Sequence, residues 1–267
     1  MIKRIKLYIN NNDKSKKVAE YLEKELIKNN FLMVNDKPEL CISVGGDGSF
    51  LRMIKDNQFN TDVLYVGINA GTLGFLQEID VDKTKDFVAR LVNDQYKIES
   101  INIQETNIKT LENNKLHFYS LNEIVLRNSD LSAFKMDVYV DSEYLENYIG
   151  DGLLVSTSTG STAYNLSLGG AVIYNTLKTL QVTPIAPINN KVYNTLRSTL
   201  VIPGDRKITL KPIDRSKDLY VLIDGAKKEI SDVDSIETYI SDKEIKCLRM
   251  EEFHFIKVVY NKLLNKE

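Results

Sequence analysis

Leu40-Cys41-Ile42-Ser43-Val44-Gly45-Gly46-Asp47-Gly48-Ser49-Phe50-Leu51 sets an apolar run against a glycine-rich turn. Leu40 to Val44 has the length and apolarity of a buried strand, and Ser49 to Ile54 reads as the helix after it. Three glycines and one carboxylate at such a turn suit close contact with phosphate. Glycine takes positive φ and lets a ligand approach the main chain, and N–H groups at a helix start bind anions. Asp47 is the odd element, because a carboxylate beside phosphate is repelled. It is tolerable where it holds a metal, accepts a proton or hydrogen-bonds a hydroxyl. The motif therefore points to phosphoryl transfer, with a tight turn that merely needs glycine as the plainer alternative. It is not a P-loop, since no Gly-Lys-Ser/Thr follows, nor a Gly-x-Gly-x-x-Gly fingerprint, since the third glycine is missing.

Outward from this motif, strands and helices alternate up to about residue 95. Ile5, Leu7 and Ile9 alternate along a strand whose solvent side carries Lys3, Arg4 and Lys6. Val18, Tyr21, Leu22 and Leu26 form a helical stripe after an Asp13 or Ser15 cap. Val63 to Ile68 is a further strand, followed by Asn69-Ala70-Gly71-Thr72-Leu73-Gly74-Phe75, and Phe87, Val88, Leu91 and Val92 mark a helix. Such alternation predicts a mostly parallel sheet with ligands at the strand C-terminal ends, where Asp47 and Asn69 lie.

From about residue 96 to 245 the period changes to two. Met136, Val138 and Val140 alternate before Asp141-Ser142, and Leu219, Val221 and Ile223 before Asp224-Gly225, a strong hairpin signal. His117 to Leu121 reads as a strand that ends at Asn122-Glu123, and Pro184 and Pro187 bracket a turn. The segment after residue 246, with Phe253, Phe255, Ile256, Val258, Val259 and Leu263, is too apolar for a tail.

Residues 150–170 form a second cluster, rich in hydroxyls and glycine. Gly/Ser composition often means a flexible loop, but Leu153-Leu154-Val155 and Ala163-Tyr164 call for burial. A strand entering a hydroxyl-lined turn and a short helix suits a ligand with phosphates, riboses or amides.

Gly45-Gly46-Asp47-Gly48, Asn122-Glu123 and Gly150-Asp151-Gly152 with Thr159-Gly160-Ser161-Thr162-Ala163-Tyr164 together resemble the NAD kinases in identity, order and spacing, over about residues 38 to 225. The first motif alone is shared with lipid kinases and phosphofructokinases; the second is far more specific. The resemblance implies an α/β domain with a mostly parallel sheet (1–95), a β-rich antiparallel domain that binds NAD (96–245), and a C-terminal segment (246–267) returning to the first. It implies an active site between the domains and transfer of the γ-phosphoryl of ATP to the adenosine 2′-hydroxyl of NAD.

In that reading Asp47 is the catalytic residue, orienting the hydroxyl and accepting its proton, with Mg²⁺ binding as a competing role. A divalent ion neutralises the triphosphate. The resemblance places Asn122 at the adenine edge and Glu123 at ribose hydroxyls, with an ordinary strand edge as the alternative. Thr159, Thr162, Ala163, Tyr164, Asn165 and Ser167 would line the adenine and amide pockets. Asp151 would contact the nicotinamide end and Ala186 would offer a carbonyl to the nicotinamide amide. Gly46, Gly48, Arg52 and Phe75 complete the set; a solvated helix arginine and a plain core phenylalanine are the alternatives for the last two. Ser158 departs from the proline usual in relatives, and Ile149 from a basic or polar residue, which puts a charged contact to the diphosphate from that position in doubt. A lipid kinase and a non-catalytic NAD-binding sensor are the competing classes.

Composition agrees. A chain of 267 residues is one large or two small domains. The net charge of −2 without a dominant basic patch argues against nucleic acid as the main partner. No apolar run reaches the length of a membrane span, and the N-terminus lacks the apolar core of a signal peptide. Two cysteines in strand-like runs, Cys41 and Cys247, fit buried free thiols in a cytoplasmic protein. With His117 and His254 the only histidines and no cysteine cluster, a zinc site is not expected. The strand edges and apolar segments of the second half, and the resemblance, imply a homo-oligomer, most simply a tetramer.

Overall fold

The computed structural model describes residues 2–71, 74–250 and 253–265; Thr72 and Leu73 of the Asn69-to-Phe75 turn lie outside them. Two compact units divide the chain: residues 1–101 with 244–267, and residues 102–243. The elements run β1 (Arg4–Ile9), α1 (Asp13–Lys28), β2 (Leu32–Met33), β3 (Leu40–Gly45), α2 (Asp47–Asp56), β4 (Leu64–Asn69), β5 (Ile79–Asp80) and α3 (Thr84–Val92). Then come β6 (Lys97–Thr110), β7 (Lys115–Ser120), β8 (Glu123–Asn128), β9 (Phe134–Val140), β10 (Glu143–Gly150), β11 (Gly152–Thr157), α4 (Tyr164–Ser167) and β12 (Thr179–Ile185). The chain closes with β13 (Leu200–Pro203), β14 (Ile208–Pro212), β15 (Leu219–Ile223), β16 (Ala226–Ile230), β17 (Val233–Arg249) and α5 (Phe255–Val259).

In the first unit β2, β1, β3 and β4 pair in parallel, and β4 adds both β5 and the end of β17 in parallel. Every residue of β3 is buried, as expected of a central parallel strand covered on both faces. Helix α1 turns Val18, Ala19, Leu22 and Leu26 inward at helical spacing onto Ile5, Leu40, Ile42 and the α3 residues Phe87, Val88 and Leu91. Two details differ from the expected pattern. The N-cap is Asn12, whose side chain accepts the Ser15 N–H at 2.8 Å, one residue before the expected pair. Tyr21 and Val92 are exposed rather than part of their stripes. Cys41 and Cys247 are free and buried, and burial raises each thiol to about 12.

The second unit is built of antiparallel pairs, as the period of two predicts. A six-stranded sheet runs β13-β12-β11-β8-β15-β16. β10, β9, β14 and the first part of β17 form a second layer, and β6 pairs with β7. Side chains of both layers, among them Ile124, Leu126, Met136, Val138, Leu153 and Val221, share one core. Both dipeptide hairpins form with positive φ at Asp141 (50°), Ser142 (74°), Asp224 (46°) and Gly225 (78°), the geometry that matches strand twist. Pro184 lies within β12 opposite Leu153, so the turn begins only at Ala186. Among the described residues no helix is long and apolar enough to cross a membrane.

Candidate active site

Asp47 opens helix α2, with Gly46 as the N-cap residue, so its charge sits at the positive end of the helix dipole. The N–H of Phe75 donates to its Oδ2 at 2.8 Å, and that of Leu76 to its Oδ1 at 2.9 Å. Burial raises its pKa, and the N–H groups of Phe75, Leu76 and Gln77 pull the other way. A raised pKa makes it a better proton acceptor than an exposed aspartate. A Cβ on Gly74 would lie 2.9 Å from Asp47 Oδ1, so glycine there makes room for the carboxylate.

Of the two purposes expected of the motif glycines, only one has support in the backbone. Among the described glycines only Gly169 and Gly225 have positive φ. Gly46 and Gly48 instead look onto open space, with nothing within 4 Å of a Cβ built on either. Their small size leaves the main chain approachable rather than permitting a special conformation. Gln77 fixes the turn from below: its Nε2 donates to the Gly46 carbonyl at 2.7 Å and to Ser43 Oγ at 3.0 Å. Gly67 is glycine because a Cβ would strike Gln77 Oε1 at 1.8 Å. Arg52 is exposed on α2, and Phe75 is half-buried. A cavity of about 570 Å³ in this unit is lined by Phe75, Gln77, Lys83, Phe87, Lys257 and Lys262 among others.

β7 stops at Ser120, Leu121 and Asn122 bend, and Glu123 opens β8, a strand that the sequence reading did not separate from the first. Asn122 and Glu123 are both buried. The Thr157 N–H donates to the Asn122 carbonyl at 2.9 Å, and Thr157 Oγ1 donates to the Leu121 carbonyl at 2.7 Å. Gly160 packs so closely that a Cβ would meet the Asn122 carbonyl oxygen at 2.1 Å. The hydroxyl-rich turn, a single 3-10 turn from Thr159 to Thr162 followed by α4, is therefore brought onto the Asn122–Glu123 bend. Glu123 Oε2 and Thr159 Oγ1 are buried without a hydrogen-bond partner. Burial, with the charge of Asp224 adding to it, raises Glu123 to about 8.

Thr162 and Ala163 are half-buried and Ser167 is exposed. Tyr164 Oη accepts from Arg127 Nη2 at 3.0 Å. Asn165 is fully buried; its Oδ1 accepts from Thr183 Oγ1 at 2.6 Å. Asp151 and Ala186 lie together at the other end of β11, where the Asp151 N–H donates to the Ile185 carbonyl at 2.9 Å. Both are exposed, and the six residues of β11 put roughly 20 Å between this corner and Thr157. Ala186 takes φ of 47°, a conformation that costs a non-glycine residue about 1 kcal/mol or more. Tyr148 Oη donates to the Gly152 carbonyl at 2.7 Å and accepts the Ile185 N–H at 3.1 Å, which holds the strand ends around that corner.

Gln77, Arg127 and Tyr148 were not picked out in the sequence. Each acts on backbone or side chains far away in the chain, and no local pattern marks that. Among the described residues no group of three or more His, Cys, Asp or Glu could hold a metal ion.

Comparison with known proteins bears on this arrangement. The ATP-NAD kinase N-terminal domain matches residues 6–96, and the ATP-NAD kinase C-terminal domain matches residues 121–250. The chain is 38% identical over 262 residues to a NAD kinase of Finegoldia magna, covering 95% of this chain and 96% of that one. It is 37% identical over 254 residues to a NAD kinase of Latilactobacillus sakei, covering 94% of each. The fold is that of yeast NADH kinase, solved with NADH: the TM-score is 0.86 at 18% identity, over 100% of this chain and 89% of that one. With both domain models and full-length relatives in agreement, the chain belongs to the NAD kinase family.

Proposed function

We propose that this protein transfers the γ-phosphoryl group of ATP to the adenosine 2′-hydroxyl of NAD, giving NADP and ADP. The observation that carries the reading is Asp47. Its carboxylate is buried, raised in pKa, and aimed by two N–H groups beside the open backbone of Gly46 and Gly48. Phosphoryl transfer depends mainly on alignment and charge stabilisation. Asp47 aligns the 2′-hydroxyl and accepts its proton as the oxygen attacks the γ-phosphorus and the bond to the ADP oxygen breaks. Both carboxylate oxygens already accept N–H groups, which favours this role over metal binding. Mg²⁺ keeps few protein ligands and binds largely through phosphates, so it belongs to the donor, which could equally be polyphosphate.

Asn122 takes the adenine edge, since its amide both donates and accepts, and Glu123 takes ribose hydroxyls. Thr159, Thr162, Ala163, Tyr164 and Ser167 line the surrounding pocket, with Asn165 holding its shape; Asp151 and Ala186 take the nicotinamide. Gly46, Gly48, Arg52 and Phe75 serve the phosphates and the ligand's underside. The polar corner around Asn122 favours a nucleotide over the acyl chain of a lipid kinase substrate. Formation of NADP from ATP and NAD tests the reading, with 2′-deoxy-NAD as the control. The analogue is expected to compete with NAD and to accept no phosphate; phosphate on the analogue would overturn the role of Asp47. A cytoplasmic homotetramer belongs to the same reading, supported by exposed Leu177, Val192, Leu196 and Val201 on the second unit. A sedimentation mass of one 30.5 kDa chain would contradict it.

A further inference from the structure

Asp224 reads in the sequence as half of a hairpin turn and nothing more. Its backbone fills that role between β15 and β16, with φ of 46° followed by Gly225 at 78°. Its carboxylate does something a turn does not need. Oδ2 accepts the Leu121 N–H at 2.8 Å, and Oδ1 accepts the Asn122 N–H at 2.8 Å and the Glu123 N–H at 3.2 Å. The Asp224 N–H returns the contact to the Glu123 carbonyl at 3.1 Å. One side chain thus gathers three successive N–H groups of the bend between β7 and β8. Leu121 and Asn122 lie between the two strands and Glu123 opens β8, and buried N–H groups without acceptors are costly.

We infer that Asp224 is a positioning residue for NAD: by holding Leu121, Asn122 and Glu123 in one bend, it sets where the Asn122 and Glu123 side chains point. The inference rests on the NAD kinase reading and adds to it a residue that touches no substrate. Asparagine would serve the turn as well, since Asn-Gly and Asp-Gly are both favoured in such hairpins. It would not serve the bend, because an amide offers one acceptor oxygen and turns an NH₂ group towards N–H donors. The carboxylate is therefore explained by the bend and not by the turn. Glu123 supplies the second, independent observation: it is buried beside Asp224, and its Oε2 has no partner within the chain, as a side chain held ready for a ligand would be.

The test compares the full-length chain with Asp224→Asn, using calorimetric NAD binding and steady-state kinetics. The expected result is an NAD Kd and KM raised about tenfold or more, with the KM for ATP within about twofold of wild type. In an Asn122→Ala, Glu123→Ala background, Asp224→Asn should add less than about twofold, because the side chains it positions are gone. An unchanged NAD Kd in Asp224→Asn overturns the inference, as does a full tenfold loss in that background. Asp224→Ala guards against a purely structural effect: a lowered melting temperature with normal NAD affinity also overturns it. A wild-type chain that binds no NAD overturns the reading beneath it, and the inference with it.

Discussion

Asp47 and Glu123 are two carboxyls withdrawn from water, and they are treated in opposite ways. Asp47 receives an N–H on each oxygen; Glu123 Oε2 receives nothing, although a second carboxylate stands nearby. Burial raises the pKa of both. A carboxylate with fixed donors is aimed and keeps its place while a substrate comes and goes. One without them is left with a cost of roughly 1–3 kcal/mol, which a bound proton or a ligand hydroxyl relieves. The first suits a group that takes part in chemistry, the second a group that recognises a ligand.

The contrast breaks most sharply at Asp47. Asp47→Asn is expected to lower kcat by at least about a hundredfold while calorimetry still detects NAD binding; normal turnover would remove Asp47 from the chemistry. Gly160→Ala comes next. Its methyl would press on the Asn122 carbonyl oxygen, 2.1 Å from the ideal Cβ position, and backbone cannot swing aside as a side chain can. A loss of about 2–4 kcal/mol in urea unfolding is expected, together with weaker NAD binding. Wild-type stability and affinity in this variant would mean that the bend can shift freely.

A graded effect concerns pH and Glu123. Its pKa is about 8 in the fold against an ordinary 4.5. A raised pKa means that the folded state holds the proton more tightly. The stabilisation is complete below the ordinary value and is lost as the pH rises through the folded one. Glu123→Gln carries no such proton. Relative to wild type, the variant should gain stability steadily from about pH 5 to about pH 8, measured by urea unfolding across that range. Glu78, raised to about 7 by burial, adds a slope common to both proteins. Parallel curves would show that Glu123 is charged in the fold.

The first unit was legible wherever the signal was local. The apolar run of β3, the stripe of α1 and the glycine turn before α2 each stand within a dozen residues of sequence. The two dipeptide hairpins were legible for the same reason, since only a few residues tolerate their φ values. The end of β7 before Asn122 was legible, but the start of β8 at Glu123 was not, because alternation of apolar residues does not report where hydrogen bonding changes partner. The donors that aim Asp47 come from Phe75 and Leu76, and the acceptor that gathers the bend comes from Asp224, about a hundred residues away. Side chains that serve distant backbone leave no periodic trace. Of the two reasons expected for the motif glycines, positive φ does not apply, while open space beside the main chain at Gly46 and Gly48 agrees with close ligand approach.

The path of β17 has a consequence for how the chain is made. Its last residues pair with Leu64 and Tyr65 of β4, and Arg249 forms ion pairs with Glu78 and Glu99. The second unit is thus finished at residue 243, before the first has received its final strand. During synthesis from the N-terminus, the sheet that carries Asp47 stays open while some 140 residues emerge behind it, and closes only when they have passed. Contacts of such sequence separation form slowly, and an unpaired strand edge attracts other chains meanwhile. The second unit is therefore complete before the unit that carries Asp47, and the interval between them is when a nascent chain of this topology most needs protection.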